Sequence, residues 1–562
     1  MKSSRSTPRR WNRKAGATLA ALAVWSATLS GCGPARSTSA PASTPQSASV
    51  STTPWATAQD LALAKVFAER DADWRYGPVV YQVFVDRFAP PWPERLAAKE
   101  DAYHAPRVLK PWSETPTGGT PSDDVRVWTH ELEFWGGDLI TLRSKLGYIE
   151  DLGADVVYLN PVFRAMTNHM YDTHDYFQVD PAYGSDQDLV RVVNDIQNRG
   201  MRVMLDGVFN HMGSYAPIVQ EAAGNPQSPY RNWFYLGDQF PNGYRAWLDV
   251  PNLPELNLEH PPVRAFLYEG PGSVVRHYLN LGVDGWRLDT AYELGFVYLN
   301  DLTEAAHDAK PDSAIIGEVW SYPEPWLDSM DGVMNLHLRD VLLRFARGDM
   351  PAPHASQAIA RLVEDAGVEP LLRSWLVLDN HDTSRLADDL PDFERRKLAL
   401  ALQFTLPGAP VVYYGTELGM TGAGDPANRA PMRWDLVNDN NPNLDLFKRL
   451  LEMRSQQRAL RVGDYRQLDT HRLLGFIRYT ERVEETVLVL VNNTDEPIRE
   501  AIPVRFGKLA SYGPWRDLIA DQDNTDAGVG AGIIDIELAP RSVRVLQPMV
   551  DRSGYSPYGR VN

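Results

Sequence analysis

Four strings in this chain set carboxylates beside basic or amide side chains: Asp206-Gly-Val-Phe-Asn-His211, Gly285-Trp-Arg-Leu-Asp289, Gly317-Glu-Val-Trp320 and Leu378-Asp-Asn-His-Asp382. Each closes an apolar or β-branched run of the kind that forms a short buried strand. One such carboxylate is ordinarily a surface cap. Four of them, on successive buried runs, are costly to desolvate together unless chemistry uses them. Alternate residues of a strand share a face. Arg287 and Asp289 therefore point the same way, and the guanidinium is expected to keep Asp289 ionised, as a nucleophile must be. Asp206, Val208 and Asn210 share a face likewise, with His211 at the strand end. Glu318 lies beside Val319 and Trp320, and apolar flanks favour the form of a carboxyl that can donate its proton. A carboxylate that attacks and an acid that protonates the leaving oxygen together cleave glycosidic bonds with retention at the anomeric carbon.

Positioning such groups requires a scaffold whose strand ends meet. Eight strand-like runs recur at Val79–Val85, Val156–Val162, Val203–Phe209, Gly285–Ala291, Ala314–Trp320, Gly332–Leu338, Leu376–Asp382 and Pro410–Glu417, with amphipathic stretches such as Asp188–Arg199 and Phe393–Phe404 between them. That alternation predicts an α/β fold, a (β/α)8 TIM barrel whose chemistry gathers at the C-terminal strand ends. The third and fourth runs are separated by far more than a normal crossover, so a small inserted domain is expected at about 212–260. Another long loop, Ala89 to Glu133, follows the first run. Residues 57–456 are read as the barrel, 457–550 as a C-terminal antiparallel β-sandwich, and 551–562 as a tail.

With the motifs in place, the four strings resemble the signature regions of the alpha-amylase family of glycoside hydrolases. The resemblance implies Asp289 as nucleophile, Glu318 as general acid/base and Asp382 as transition-state stabiliser, with His211, Arg287 and His381 binding sugar. Asn168-His-Met-Tyr171, Gly422-Ala-Gly-Asp-Pro-Ala-Asn-Arg429 and Phe84-Val-Asp-Arg-Phe88 resemble the neopullulanase, cyclomaltodextrinase and maltogenic amylase branch. They assign Tyr171 and His169 to the sugar being cleaved and Asp425 and Arg429 to the next one, while Trp320 offers a stacking face on the acceptor side. No cofactor is required for this chemistry. In many members the residue matching Asn210 binds a structural calcium ion, and Glu255 could add an oxygen from the insertion. Between Trp55 and Val79 there is no room for the N-terminal β-domain usual in that branch, and Leu253-Pro-Glu-Leu-Asn257 departs from its usual Met-Pro-Lys-Leu-Asn. The expected substrates are α-1,4-glucans, namely malto-oligosaccharides and starch dextrins, with pullulan or cyclodextrins as further candidates. The alternative is a transglycosylase or isomerase on the same scaffold.

The bulk properties fit a neutral substrate. A formal charge of −17 over 562 residues argues against nucleic acid as a partner, while 16 Trp and 24 Tyr suit stacking on sugar faces. Residues 1–32 read as an export signal: a basic start, the apolar stretch Ala15–Thr28, and Leu29-Ser-Gly-Cys32. That ending resembles a bacterial lipobox and predicts lipidation at Cys32, the single cysteine of the chain. Membrane attachment at the cell envelope would follow, through the Ser/Thr/Pro/Ala-rich tether 33–56.

Overall fold

The computed structural model describes residues 53–520, 522–524 and 527–562. The export signal, Cys32 and tether residues 33–52 lie outside the described residues. Eight parallel strands close into a barrel. In chain order they are β1 Val80–Val83, β2 Val156–Leu159, β3 Arg202–Gly207, β4 Gly285–Leu288, β5 Ala314–Val319, β6 Gly332–Asn335, β7 Trp375–Val377 and β8 Ala409–Tyr413. β1 pairs with both β2 and β8, which closes the ring.

The strands read as unbroken apolar runs because both of their faces are covered. Val80, Tyr158, Met204, Ile316, Met334, Trp375 and Val411 fill the interior. The alternate residues, among them Val157, Leu159, Val203 and Leu205, pack outward against helices. Helix Asp186–Asn198 shows how the outer layer is specified: Ser185 and Asp188 form a capping box, and Leu189, Val192, Val193 and Ile196 face the barrel. A side-chain cap of this kind stabilises a helix by about 1 kcal/mol, and the apolar face supplies the rest.

The expected insertion after β3 is present. It is held by the single bridges His211–Glu255, Phe234–Leu256, Leu236–Tyr244 and Ala246–Pro254. Asn252 fastens it to the barrel loops by donating to the buried Asp172 carboxylate (3.1 Å). The C-terminal part is a sandwich of a six-stranded and a three-stranded antiparallel sheet, with Ile477, Leu488, Leu490, Trp515, Ile534 and Leu546 between them. Two stretches outside the expected barrel and sandwich bounds make contacts among the described residues. Tyr558, in the expected tail, is fully buried in the sandwich core, and Thr53, at the end of the expected tether, donates to Asn562 (2.7 Å). One aromatic side chain is enough to seat the tail, and polar composition masks it.

Candidate active site

The carboxylates of the four strings meet where β3, β4, β5 and β7 end. Arg287 stands at their centre, fully buried. Its Nη1 donates to Asp206 (2.8 Å) and Asp289 (3.1 Å), and its Nη2 lies 2.9 Å from Glu318 Oε2 as an ion pair. One guanidinium thus holds Asp289 and Glu318 side by side, the kind of carboxyl pair in which one member attacks and the other transfers a proton. The expected shared face of Arg287 and Asp289 is thus realised, and Glu318 joins it from the next strand.

Thr290, directly after Asp289, occupies the left-handed region (φ 40°, ψ 45°). A β-branched residue is strained there. The conformation accompanies an amide directed at the next strand: Thr290 N–H donates to Glu318 Oε2 (2.9 Å). Trp320, half exposed at the mouth, donates its indole N–H to Glu318 Oε1 (2.9 Å). The apolar setting expected for Glu318 is therefore corrected: Val319 and Trp320 flank it in sequence, but its oxygens meet an indole N–H, a backbone N–H and a guanidinium.

The expectation for Asp289 changes too. Burial pushes its carboxyl well above the usual range, Arg287 opposes this, and Glu318, Asp206 and Asp382 add to it. Sequence reasoning gave Asp289 a guanidinium of its own, whereas Arg287 is divided among three carboxylates. For Asp382, burial is outweighed by His381, whose Nε2 lies 2.9 Å from Oδ2, and by Arg429 at 3.2 Å; its carboxyl is held well below the usual range.

The floor of the site is a hydrogen-bonded set. Tyr171 Oη contacts Asp206 (2.7 Å), Asn160 (3.0 Å) and His381 Nε2 (2.6 Å), and its ring lies parallel to His381. His169 Nδ1 accepts from Tyr171 N–H (3.1 Å), leaving its other edge toward Glu131 (3.8 Å). Arg429 continues from Asp382 to Asp425 (3.2 Å). His211 is buried and stacked on Trp247 of the insertion (5.4 Å between centroids), and burial pushes its imidazole down to about 3, so it is neutral.

Several participants were not expected. Gln82 Nε2 reaches His381 Nδ1 and Asn160 Oδ1 (3.0 Å each), Tyr158 donates to Asp206, and His130 Nε2 lies 3.6 Å from Asp425. Gln82 carried a signal, being the one amide in an apolar strand run. His130 carried none, because it sits in the long loop after β1.

Asn210 does not join Asp206 as its strand position suggested, because β3 ends at Gly207 and the alternation stops there. It lines a separate polar cavity with Glu255, Glu259 and Glu293. The groups there do not fit the expected calcium site. Glu255 is paired with Arg245, Asn210 Nδ2 is turned to His211 Nδ1 (3.3 Å), and no cluster of three or more His, Cys, Asp or Glu suited to a metal occurs among the described residues.

The sequence from residue 82 to 463 matches the family model described as "Alpha amylase, catalytic domain". The chain belongs to the alpha-amylase family. A cyclomaltodextrinase from Geobacillus thermopakistaniensis is 35% identical over 445 residues, covering 77% of this chain and 71% of that one. Neopullulanase 2 from Thermoactinomyces vulgaris is 31% identical over 472 residues, 80% and 74% of the two chains. Among solved structures, cyclic alpha-maltosyl-(1→6)-maltose hydrolase from Arthrobacter globiformis superposes with a TM-score of 0.70 at 28% identity, over 85% of this chain and 99% of that one. The protein is accordingly an alpha-amylase-family glycoside hydrolase with the cyclomaltodextrinase, maltogenic amylase and neopullulanase relatives expected from its loops.

Proposed function

We propose that this enzyme hydrolyses α-1,4-glucosidic bonds of malto-oligosaccharides and starch dextrins with retention, releasing maltose as a major product. The observation that carries the reading is the single guanidinium of Arg287 bridging Asp289 and Glu318. Asp289 attacks the anomeric carbon while Glu318 gives its proton to the departing glycosidic oxygen. Glu318, now a carboxylate, then takes a proton from water as that water displaces Asp289. Asp382, held anionic, and His381 bind the ring hydroxyls of the sugar being distorted, Tyr171 supplies its stacking face, and Asp425 with Arg429 receive the preceding sugar. Trp320 both hydrogen-bonds Glu318 and offers an exposed ring to the acceptor. Transfer to sugars in place of water is a side reaction of this intermediate, and the likeness to the Arthrobacter globiformis hydrolase favours hydrolysis as the main course.

The reading extends to location. The Leu29-Ser-Gly-Cys32 ending supports lipid attachment at Cys32 and retention at the cell envelope.

The test is Asp289→Asn and Glu318→Gln, each assayed on maltotriose and soluble starch, with the anomer released by wild type followed by NMR. Expected are losses of several orders of magnitude in kcat in proteins with wild-type melting, and an initial α-anomer. A β-anomer, or near-normal turnover in either folded variant, refutes the assignment.

A further inference from the structure

A cavity of about 570 Å³ lies beside the loop that carries Asp425 and Arg429, and the hydrolytic scheme does not use it. One wall is residues 112–115, from the loop after β1. The other is residues 419–421 and 430–436, the two stems of the loop after β8. That loop therefore serves two places. Between the stems, Arg429 reaches Asp382 in the cleft, while the stems themselves border the cavity. Arg87 ties the two together: its carbonyl accepts from Met432 N–H (2.7 Å), and its Nη1 donates to Arg429 O (2.6 Å).

Two indole rings, both partly buried, border the cavity. Trp434 is fixed in place. Its N–H donates to Phe88 O (2.7 Å), its ring meets Phe88 and Tyr148 edge-on (5.3 and 5.1 Å between centroids), and the Lys145 ammonium lies 4.2 Å from its centroid. Trp112 is held more lightly, by an N–H directed at Met432 O (3.4 Å). The rim is polar yet balanced. Glu114 is paired with Lys110 (3.0 Å), and Asp435 with Arg433 through a two-bond fork (2.8 and 2.6 Å). An ion gains little from walls whose charges are already matched. A flat neutral molecule with an apolar face and neighbouring hydroxyls matches both parts of the lining. The indoles take its face, and the planar fork offers donors and acceptors side by side to its hydroxyls.

We propose that this cavity is a second, non-catalytic carbohydrate site, which holds a segment of an α-glucan chain. The choice of a glucan rests on the α-1,4 hydrolase reading, whereas the class of ligand, a neutral sugar, rests on the lining. Because the cavity shares the β8 loop with the cleft, a polymer held there presents its neighbouring segments to Asp289 and Glu318 at a raised effective concentration. Free oligosaccharides gain nothing, since one molecule in the cavity does not concentrate another in the cleft.

The test pairs a count of bound sugar with kinetics. W112A removes the lightly held ring, and R433A combined with D435A removes the exposed fork without leaving a buried group unpaired. Titration calorimetry of maltoheptaose into D289N should show two equivalents bound, and D289N carrying either change should show one. On soluble starch both changes, made in the active enzyme, should raise KM about five- to tenfold, while kcat/KM on maltotriose stays within about twofold of wild type. One equivalent in D289N, or two retained with both changes, overturns the site, as does a starch KM that neither change moves. Equal losses on starch and maltotriose in folded variants would reveal a purely structural role and overturn it too. If W112A does not fold, the R433A and D435A pair is read by the same measures. Wild type that turns over neither starch nor maltotriose would instead overturn the parent reading, and the calorimetric count would still decide the cavity.

Discussion

Arg287 touches Asp206, Asp289 and Glu318 at once, so replacing it disturbs three carboxylates rather than one. R287K keeps a positive charge but loses the fork that serves two strands. We expect a fall in kcat of more than about 100-fold, together with lower stability from the carboxylates left without a donor, on the order of 3 kcal/mol. Melting and steady-state rates on maltotriose check both parts. In the proposed role of nucleophile Asp289 must lose its proton before it attacks, and burial with like charge raises its pKa. Activity should therefore be lost as pH falls through that raised value, so the acid limb of kcat/KM lies above the ordinary aspartate range near about 4. A limb below that range would contradict the raised carboxyl. His211 obeys the complementary rule. Its folded pKa, about 3, is depressed below the unfolded value near about 6.5, so its contribution to stability is present above about 6.5 and is lost as pH falls toward about 3, by at most roughly 5 kcal/mol. H211Q should flatten the decline of Tm between pH 7 and pH 4, and an equally steep decline in the variant would remove His211 as its cause.

At the level of elements, the barrel was legible because a strand covered on both faces must be apolar throughout, and all eight runs fall on observed strands. The carboxylates could be placed at strand ends for the same reason. Overshoot of the third run explains the error at Asn210, while those at Asp289 and Glu318 come from contacts that cross between strands. Asn210 was placed in strand register beyond Gly207, where β3 has already ended, and Glu318 was assigned the character of its sequence neighbours rather than of the Thr290 amide and Arg287 guanidinium that reach it from the adjacent strand. A hairpin in the loop after β1, Pro121–Ser122 against Val127–Trp128, left no trace, since its strands are two residues long and its ties run to distant loops. Helix Phe393–Thr405 holds a further lesson. Its last two carbonyls would be unpaired at a buried end, and they receive Arg454 (Phe404 O, 2.9 Å) and Arg478 from the C-terminal sheet (Thr405 O, 2.7 Å). Burial pushes Arg454 down to about 9. R454M should cost about 3–5 kcal/mol by orphaning the carbonyls of Phe404, Gly77 and Gly408, with kcat of the folded fraction unchanged. A stability loss below about 1 kcal/mol in a denaturant melt would show that these carbonyls find other donors.

For the whole molecule, the proposed attachment at Cys32 makes a direct prediction. In the native host, C32S should move the enzyme from the membrane to the soluble fraction, or leave an unprocessed precursor, while kcat on maltotriose stays at the wild-type value once the protein is purified. A variant that still sediments with membranes at its mature size would count against the lipid.

Thr53 bonded to Asn562 has a mechanical consequence. Tension arriving along the preceding segment would enter at Thr53 and pass at once into Asn562, the Trp55–Arg552 ring contact and the Asp60–Lys508 ion pair. Asn562, Arg552 and Lys508 all belong to the C-terminal part of the chain. The pull is shunted into the sandwich before it can reach a barrel strand. Under the lipid attachment proposed at Cys32, a pull would thus load the sandwich ahead of the strands that carry Asp289 and Glu318.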